Sequence, residues 1–209
     1  MECGRLVRQT NTITHTTMKK TLFFSILAML ITFAAKAQTI VTYFDEYGNE
    51  QTHEANKIDV DVNELSSGWY YVESFTLWAN LNIPEVTISG NVYLILGTSS
   101  KLTISKLTIT EGSSFTIYNY TNSELVFNTI AGGGTFIVNS VKVTGTSTNS
   151  LDVSTISGVS IIINDGELNV TDIDVNELTI NGGKITVSGT TKADNITLSW
   201  NSESDKYQL

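Results

Sequence analysis

Tryptophan and tyrosine side chains form the most promising set of ligand-binding residues in the sequence. Four of them fall within ten residues, at Trp69, Tyr70, Tyr71 and Trp78. Sugar rings present apolar C–H faces that stack on exposed aromatic rings. In β alternation Trp69 and Tyr71 share one face and Tyr70 takes the other, so core packing is the alternative for part of this set. The sequence predicts a glycan-binding site at Trp69, Tyr71, Trp78, Tyr118 and Trp200.

An acidic heptapeptide occurs twice in the chain. Asp59-Val60-Asp61-Val62-Asn63-Glu64-Leu65 returns as Asp172-Ile173-Asp174-Val175-Asn176-Glu177-Leu178. If each copy is a strand, Val60/Val62 and Ile173/Val175 point inward and the acids form an outward row of oxygen ligands suited to calcium. Neither copy has the glycine and distal glutamate of an EF-hand loop. Two interpretations stay open: a calcium site at Asp59, Asp61, Asp172 and Asp174, or an acidic strand face that discourages edge pairing.

The N-terminal segment has the order of features of a secretory signal peptide. Met18, Lys19 and Lys20 precede an apolar run of 14 residues, 22–35, and the small-residue site Ala35-Lys36-Ala37 follows. This order predicts cleavage after Ala37 and a mature protein that is secreted or held on the outer cell surface. A membrane anchor is the alternative, but the run is shorter than the ~20 residues that span a bilayer.

The net charge argues against nucleic acid as a partner. The chain carries 12 Lys and Arg against 21 Asp and Glu, a net charge of −9. Cleavage after Ala37 removes five basic residues and one acid, which takes the net charge to −13 and leaves no Arg. A phosphate backbone needs clustered basic side chains. Cleavage also removes Cys3, the single cysteine, so we expect neither a disulfide nor a lipid-modified cysteine.

From Val86 onward the chain is a series of short runs in which two apolar residues flank one polar residue. This alternation with β-branched residues predicts strands, and no stretch has helical periodicity. The close, regular spacing predicts about three strands to a coil of ~20–24 residues, stacked at ~4.8 Å as a parallel β-solenoid of about five coils. A β-sandwich is the alternative. The predicted core pairs are Leu102/Ile104, Leu107/Ile109, Phe115/Ile117, Leu125/Phe127, Phe136/Val138, Val141/Val143, Leu151/Val153, Ile161/Ile163, Leu168/Val170, Ile173/Val175, Leu178/Ile180, Ile185/Val187 and Ile196/Leu198.

The segment before the coils has a different pattern. Residues 40–53 form two alternating runs around Tyr47-Gly48-Asn49, which predicts a β-hairpin that caps the first coil. The expected organisation is an over-called start at 1–17, a signal peptide at 18–37, the hairpin and cap at 38–65, and the solenoid at 66–209.

Six segments carry a resemblance to known proteins: Tyr43-Phe44-Asp45-Glu46-Tyr47-Gly48-Asn49-Glu50, Leu65-Ser66-Ser67-Gly68-Trp69-Tyr70-Tyr71-Val72, Gly90-Asn91-Val92-Tyr93-Leu94-Ile95-Leu96, Ser114-Phe115-Thr116-Ile117-Tyr118, Thr179-Ile180-Asn181-Gly182-Gly183 and Asn195-Ile196-Thr197-Leu198-Ser199-Trp200. On these segments the chain resembles the secreted right-handed parallel β-helix surface proteins of gut-commensal bacteria, which are described as adhesin-like or carbohydrate-binding. The resemblance covers nearly all of residues 40–205. It implies a single-stranded, right-handed coil and a role in adhesion or glycan binding, and it supplies no catalytic motif.

Residue sets for catalysis are scarce after residue 37. Lyases built on parallel β-helices typically use Arg or Lys as the base, and this part of the chain has no Arg. His53 is its single histidine, so a Ser-His-Asp triad or a histidine-based zinc site has little to draw on. A glycosidase site made of converging carboxylates stays an open alternative, because Asp and Glu are numerous in this part of the chain.

The sequence therefore predicts an all-β protein, a single-stranded parallel β-helix of about five coils with an N-terminal hairpin cap, and the resemblance implies that the coil is right-handed. The expected function is that of a secreted, non-enzymatic surface module for adhesion or glycan binding. A self-assembling structural module or a truncated remnant of a larger surface protein is the alternative, and a polysaccharide-active enzyme ranks third. The expected partner is a polysaccharide or host glycan, with self-association through the solenoid ends as a second mode. We expect no stable membrane insertion of the mature chain, and calcium is the one candidate cofactor.

Overall fold

The computed structural model describes residues 38–73, 80–119, 123–139 and 150–198, all of which belong to one compact unit, residues 38–209. These ranges consist of strands joined by turns, which confirms the predicted all-β class. None of these ranges contains a helix with the length and hydrophobicity needed to cross a membrane.

The described ranges contain 13 strands in one continuous sheet. They are β1 (Thr39–Phe44), β2 (Glu50–Lys57), β3 (Glu64–Val72), β4 (Asn80–Leu96), β5 (Lys101–Ile109), β6 (Ser114–Asn119), β7 (Glu124–Gly132), β8 (Thr135–Asn139), β9 (Ser150–Ser157), β10 (Ser160–Asp165), β11 (Glu167–Ile180), β12 (Lys184–Val187) and β13 (Thr191–Leu198).

The strands from β3 onward stack in parallel as three faces of a solenoid. Face A consists of residues 80–83, 101–104, 124–127, 150–153, 167–170 and 184–187. Face B consists of residues 64–66, 85–89, 106–109, 129–132, 155–157, 172–175 and 191–193. Face C consists of residues 68–72, 91–96, 114–119, 135–139, 160–163, 177–180 and 195–198. This arrangement is a β-solenoid of about five turns, and the sandwich alternative is wrong.

Apolar side chains from the three faces meet inside the coils. Most of the predicted core pairs are buried, because alternation sends every second residue of a strand to the same side. The rings of Phe115, Phe127 and Phe136 are fully buried and lie 6.0–6.4 Å apart between centroids. Ile196 is an exception to the prediction, since it is 51% exposed on β13, the last described strand. Val141 and Val143 lie outside the described residues.

Polar side chains repeat from coil to coil and hold the strands in register. The amide of Asn164 donates to Asn139 at 2.6 Å, and Asn181 donates to Asn164 at 2.8 Å, which makes a ladder of amides along one corner. Four ion pairs join register partners on neighbouring strands: Lys106–Glu85, Lys101–Glu124, Lys184–Glu167 and Lys192–Asp174. Each pair is solvent-exposed and contributes little energy. A shifted register would separate these opposite charges or place like charges opposite one another, which is unfavourable. The ion pairs therefore favour the observed register.

The predicted N-terminal hairpin is formed by β1 and β2, which pair antiparallel. Asp45 organises its turn, since its carboxylate accepts hydrogen bonds from the backbone N–H groups of Tyr47 and Asn49 and from the side chains of Asn49 and Gln51. Desolvation raises the pKa of Asp45, but these hydrogen bonds outweigh it and hold the pKa below its usual value. The end of β2 adds to the solenoid by pairing with β3 at Tyr70 and Tyr71. Strand β1, in contrast, lies against β6 on the outer side of face C.

Candidate functional site

The predicted aromatic residues that the structure describes lie together on the outer side of face C. Trp69 is in register with Tyr93, and its ring stacks on Tyr93 with centroids 4.6 Å apart. The ring of His53 stacks on Trp69 at 4.2 Å. Strand β3 lies between β2 and β4, so these two rings approach the indole from opposite sides. Both faces of Trp69 are therefore covered, which leaves its edge for contact with a ligand.

The hairpin closes over the rest of this group. Tyr43 of β1 packs against Tyr118 at 4.7 Å and Trp69 at 5.1 Å between ring centroids. Tyr118 is 8% exposed, and Ile95 beside it is fully buried. Tyr71 is half-buried, and its hydroxyl donates to Thr39 of the hairpin at 3.3 Å. Trp69, Tyr71 and Tyr118 thus form a second, smaller hydrophobic core outside the solenoid.

The other two predicted aromatic ligand residues, Trp78 and Trp200, lie outside the described residues. A role for any of the five in glycan binding stays a prediction. The packing of Trp69, Tyr71 and Tyr118 attaches the hairpin to face C.

Burial of Tyr118 predicts a loss of stability at high pH. Desolvation raises the pKa of Tyr118 to about 12, against the effect of its hydrogen bond to Asn139. An unfolded tyrosine ionises near pH 10. The folded state therefore holds the phenol proton to a higher pH than the unfolded state does. The resulting contribution to stability is complete below pH 10 and is lost as the pH rises to about 12. We expect it to lower the free energy of unfolding by about 2–3 kcal/mol across that interval.

The measurement is denaturant unfolding at pH 9 and at pH 11.5 for the wild type, Tyr118→Phe and Tyr47→Phe. Phenylalanine cannot ionise, so Tyr118→Phe should lose less stability over this interval than the wild type does. Tyr47 lies at the hairpin turn and is 81% exposed, which makes it the matched control. An equal pH dependence in all three proteins would contradict the prediction.

The two acidic heptapeptides adopt different structures. The second copy lies in β11 with Ile173 and Val175 buried, as the strand interpretation expects. The strand interpretation is wrong for the first copy, because Asp59 and Asp61 lie in the loop between β2 and β3, and Val60 is 64% exposed. Four strands of face B separate β3 from β11, so the two copies are far apart along the solenoid.

The second acidic copy has structural partners for both of its aspartates. Asp172 accepts a hydrogen bond from the backbone N–H of Thr190 at 2.8 Å. Asp174 pairs with Lys192 at 2.8 Å, and this hydrogen bond raises the pKa of Lys192. Within the described ranges no group of three or more His, Cys, Asp or Glu side chains is placed to hold a metal ion. Calcium binding by Asp59, Asp61, Asp172 and Asp174 stays a prediction.

A shallow, open cleft of about 220 Å³, lined by both polar and apolar residues, lies on the outer side of face A, where that face bends into face B. Its floor is one column of register partners on four neighbouring strands, namely Val126 of β7, Asp152 of β9, Asn169 of β11 and Thr186 of β12. The hydroxyl residues of the bend form its side: Ser154, Thr171 and Ser188. At ~4.8 Å per strand the column is ~14 Å long, more than the length of one sugar ring.

Among the described residues, the hydroxyl groups of this cleft and one carboxylate oxygen are available to a ligand. The amide of Asn169 donates to Asp152 Oδ1 at 3.3 Å. Within the described part of the chain, Asp152 Oδ2 and the side-chain hydroxyls of Ser154, Thr171, Thr186 and Ser188 have no hydrogen-bond partner.

Hydroxyls at other corners of the solenoid are used internally. Thr110 Oγ1 donates to the carbonyl of Ile88 at 2.9 Å, and Ser113 Oγ accepts from the backbone N–H of Gly90 at 2.7 Å. Ser100 Oγ donates to the carbonyl of Gly97 at 2.7 Å. These serines are buried, whereas Ser154, Thr171, Thr186 and Ser188 are exposed. The cleft hydroxyls therefore differ from these corner hydroxyls in bonding.

Sequence reasoning did not select the cleft residues. Serine, threonine and asparagine occur throughout the chain, so their type carries no signal. When successive coils are aligned by their apolar pairs, Asp152, Asn169 and Thr186 fall in one column. This alignment is the feature of the sequence that could have identified the cleft.

Comparison with known proteins yields no match to a family model, to a curated protein or to a solved structure. The fold alone therefore defines the class of this protein, a parallel β-solenoid with a hairpin packed on its side.

Proposed function

We propose that this protein is a secreted, non-enzymatic surface module that binds glycan chains in the cleft of face A. The observation that carries the proposal is that the side-chain hydroxyls of the cleft and Asp152 Oδ2 have no hydrogen-bond partner among the described residues. Glycans present many hydroxyl groups that both donate and accept, and such a lining pairs with them. The signal-peptide features of residues 18–37 support export, and the scarcity of catalytic residue sets supports binding without turnover.

Hydrogen bonding, rather than aromatic stacking, is the interaction that this cleft offers. No aromatic side chain apart from the inward-facing Phe127 lines it among the described residues. A glycan that runs along the column contacts side chains on successive strands, because the coils stack in register. Several weak contacts then act together along the ligand.

The test is binding of residues 38–209 to a panel of host and dietary glycans, with calcium and with chelator. Replacing Asn169 and Thr186 together by alanine should weaken binding by about tenfold, because each hydrogen bond contributes about 0.5–1.5 kcal/mol. Thr103→Ala is the matched control, since Thr103 occupies the same outward column of face A on β5, beyond the cleft. It should bind as the wild type does.

The same panel separates this proposal from its alternatives. Loss of binding in Trp69→Ala, with the cleft variant unchanged, would place the site at the aromatic group instead. Loss on chelation alone would indicate calcium and bring Asp59, Asp61, Asp172 and Asp174 forward. Hydrolysis or elimination products in the glycan would reassign the protein to the enzymes.

A self-assembling module is the second candidate, and the exposure of Ile196 favours it. Ile196 is in register with Leu178 of the core, yet it is half-exposed on β13. Apolar surface at the last described strand suits stacking of a second copy on the coil. Light scattering that shows growth of oligomers with concentration, suppressed by Ile196→Lys and without any glycan, would support this candidate.

A further inference from the structure

The charges around the cleft of face A indicate which saccharides it accepts. We infer that the cleft selects sugar chains that carry ammonium groups over neutral ones, and that it rejects sugar chains that carry carboxylates or sulfates. This inference rests on the proposed function and names the ligand class of that same site.

Asp152 is the one charged side chain among the residues that line the cleft. Its Oδ1 accepts from Asn169 at 3.3 Å, which orients the carboxylate. Its Oδ2 has no partner within the described residues, although it belongs to a residue that is only half-exposed. An ammonium group on a bound sugar is a donor for this oxygen, and a charge-assisted hydrogen bond is stronger than a neutral one.

The cations that an acidic ligand needs are occupied elsewhere. Every lysine of the described ranges is paired with an acid: Lys57 with Glu73, Lys101 with Glu124, Lys106 with Glu85, Lys184 with Glu167, and Lys192 with Asp174. Two of these pairs lie on the coils that form the cleft, at Lys184 on β12 and Lys192 on β13. Residues 38–209 also contain no Arg. A carboxylate or sulfate at the cleft therefore meets Asp152, and no unpaired lysine of the described ranges offsets the repulsion.

The charge of the whole chain acts in the same direction. Residues 38–209 carry a net charge of −13, and their acidic groups outnumber the lysines that could neutralise them. Long-range attraction therefore brings cationic ligands to the surface and slows the approach of anionic ones. Salt weakens this long-range component, while the contact with Asp152 inside the cleft is screened less.

The experiment compares three oligosaccharides of equal length: a glucosamine oligomer, its N-acetylated neutral form and an oligouronate. Binding is measured by calorimetry at about pH 5, where most of the amino groups are charged. The wild type should bind the glucosamine oligomer about tenfold more tightly than the N-acetylated oligomer, as expected for one charge-assisted hydrogen bond near the surface. It should bind the oligouronate more weakly than either.

Two variants, each of which removes one negative charge, distinguish direct contact with Asp152 from long-range attraction by the charge of the whole protein. Asp152→Asn keeps the shape of the side chain and should reduce the preference for the glucosamine oligomer over the N-acetylated oligomer to about twofold or less. Glu111→Gln is the matched control, because Glu111 is exposed in the turn before β6, outside the cleft lining. It should keep the full preference. Thermal unfolding of both variants checks that the fold is retained.

The outcomes distinguish this inference from the proposed function on which it rests. Equal binding of the amino and N-acetylated oligomers, weakened in both by Asn169→Ala/Thr186→Ala, would overturn the inference and leave the glycan-binding proposal standing. An equal reduction of the preference by Asp152→Asn and by Glu111→Gln would also overturn the inference. The net charge of the protein would then explain the preference without a contact at Asp152. Binding of none of the three oligosaccharides, nor of any glycan in the panel, would overturn both.

Discussion

Replacing Phe127 with alanine should lower the free energy of unfolding by about 3–5 kcal/mol. The ring of Phe127 is fully buried and makes edge-to-face contacts with Phe115 at 6.4 Å and Phe136 at 6.0 Å between centroids. These three rings come from face A and face C and fill the interior of adjacent coils. Alanine leaves a cavity that the parallel backbone ladders cannot close, because each strand is held by its neighbours on both sides.

The measurement is the midpoint and slope of urea unfolding for residues 38–209, with Phe127→Leu as the matched control. Leucine keeps most of the apolar volume, so it should lose about 1–1.5 kcal/mol. Domains of this kind have a total stability of about 5–15 kcal/mol, so the alanine variant should be visibly weakened at room temperature. A loss below about 1 kcal/mol in Phe127→Ala would show that the rings are loosely packed.

The solenoid could be predicted from the sequence because its signal is local and repeated. Each core pair reports burial through its own alternation, and a dozen such pairs at short intervals leave few other folds open. Ile196 has the same pattern as Ile161 or Leu178, yet it is exposed. Its alternation reports only which side of the strand it occupies, whereas its burial depends on whether a further coil covers that strand.

The aromatic residues show where local patterns stop being informative. Alternation correctly separates Trp69 and Tyr71 from Tyr70, which packs against the solenoid core. It does not show that Tyr43, about 25 residues earlier, covers their outer face. That contact depends on the direction in which the hairpin folds back, and the hairpin sequence alone does not specify it.

The repeated heptapeptide shows the same limit for backbone structure. Asp172–Leu178 has strands β9 and β13 on either side to pair with, and it is extended. Asp59–Leu65 precedes the first complete coil, so most of it lacks a neighbouring strand on one side and turns instead. Near-identical residues thus form a strand or a loop according to the ladder beside them, as expected when pairing rather than intrinsic propensity decides.

Substitution of Gly183 by alanine is the second change for which we expect a large effect, and Gly112 supplies its matched control. Both glycines have φ +74°, a left-handed conformation that costs any other residue about 1–2 kcal/mol. Their surroundings differ. A Cβ on Gly183 would lie 2.3 Å from the carbonyl oxygen of Gly166, whereas a Cβ on Gly112 would meet nothing within 4 Å.

The clash at Gly183 is with backbone that has no freedom to move away. The carbonyl oxygen of Gly166 already accepts a hydrogen bond from the N–H of Lys184 at 2.7 Å, and this bond joins the corner of one coil to the next. To make room, that bond and the start of the β11–β12 ladder must shift.

Gly183→Ala should therefore lower the free energy of unfolding by about 1–3 kcal/mol more than Gly112→Ala does, the usual cost of overpacking. Urea unfolding of the two variants measures this difference directly. Equal losses would mean that left-handed strain alone explains the glycine at this corner, and that the coils are less tightly stacked there than the 2.3 Å approach indicates.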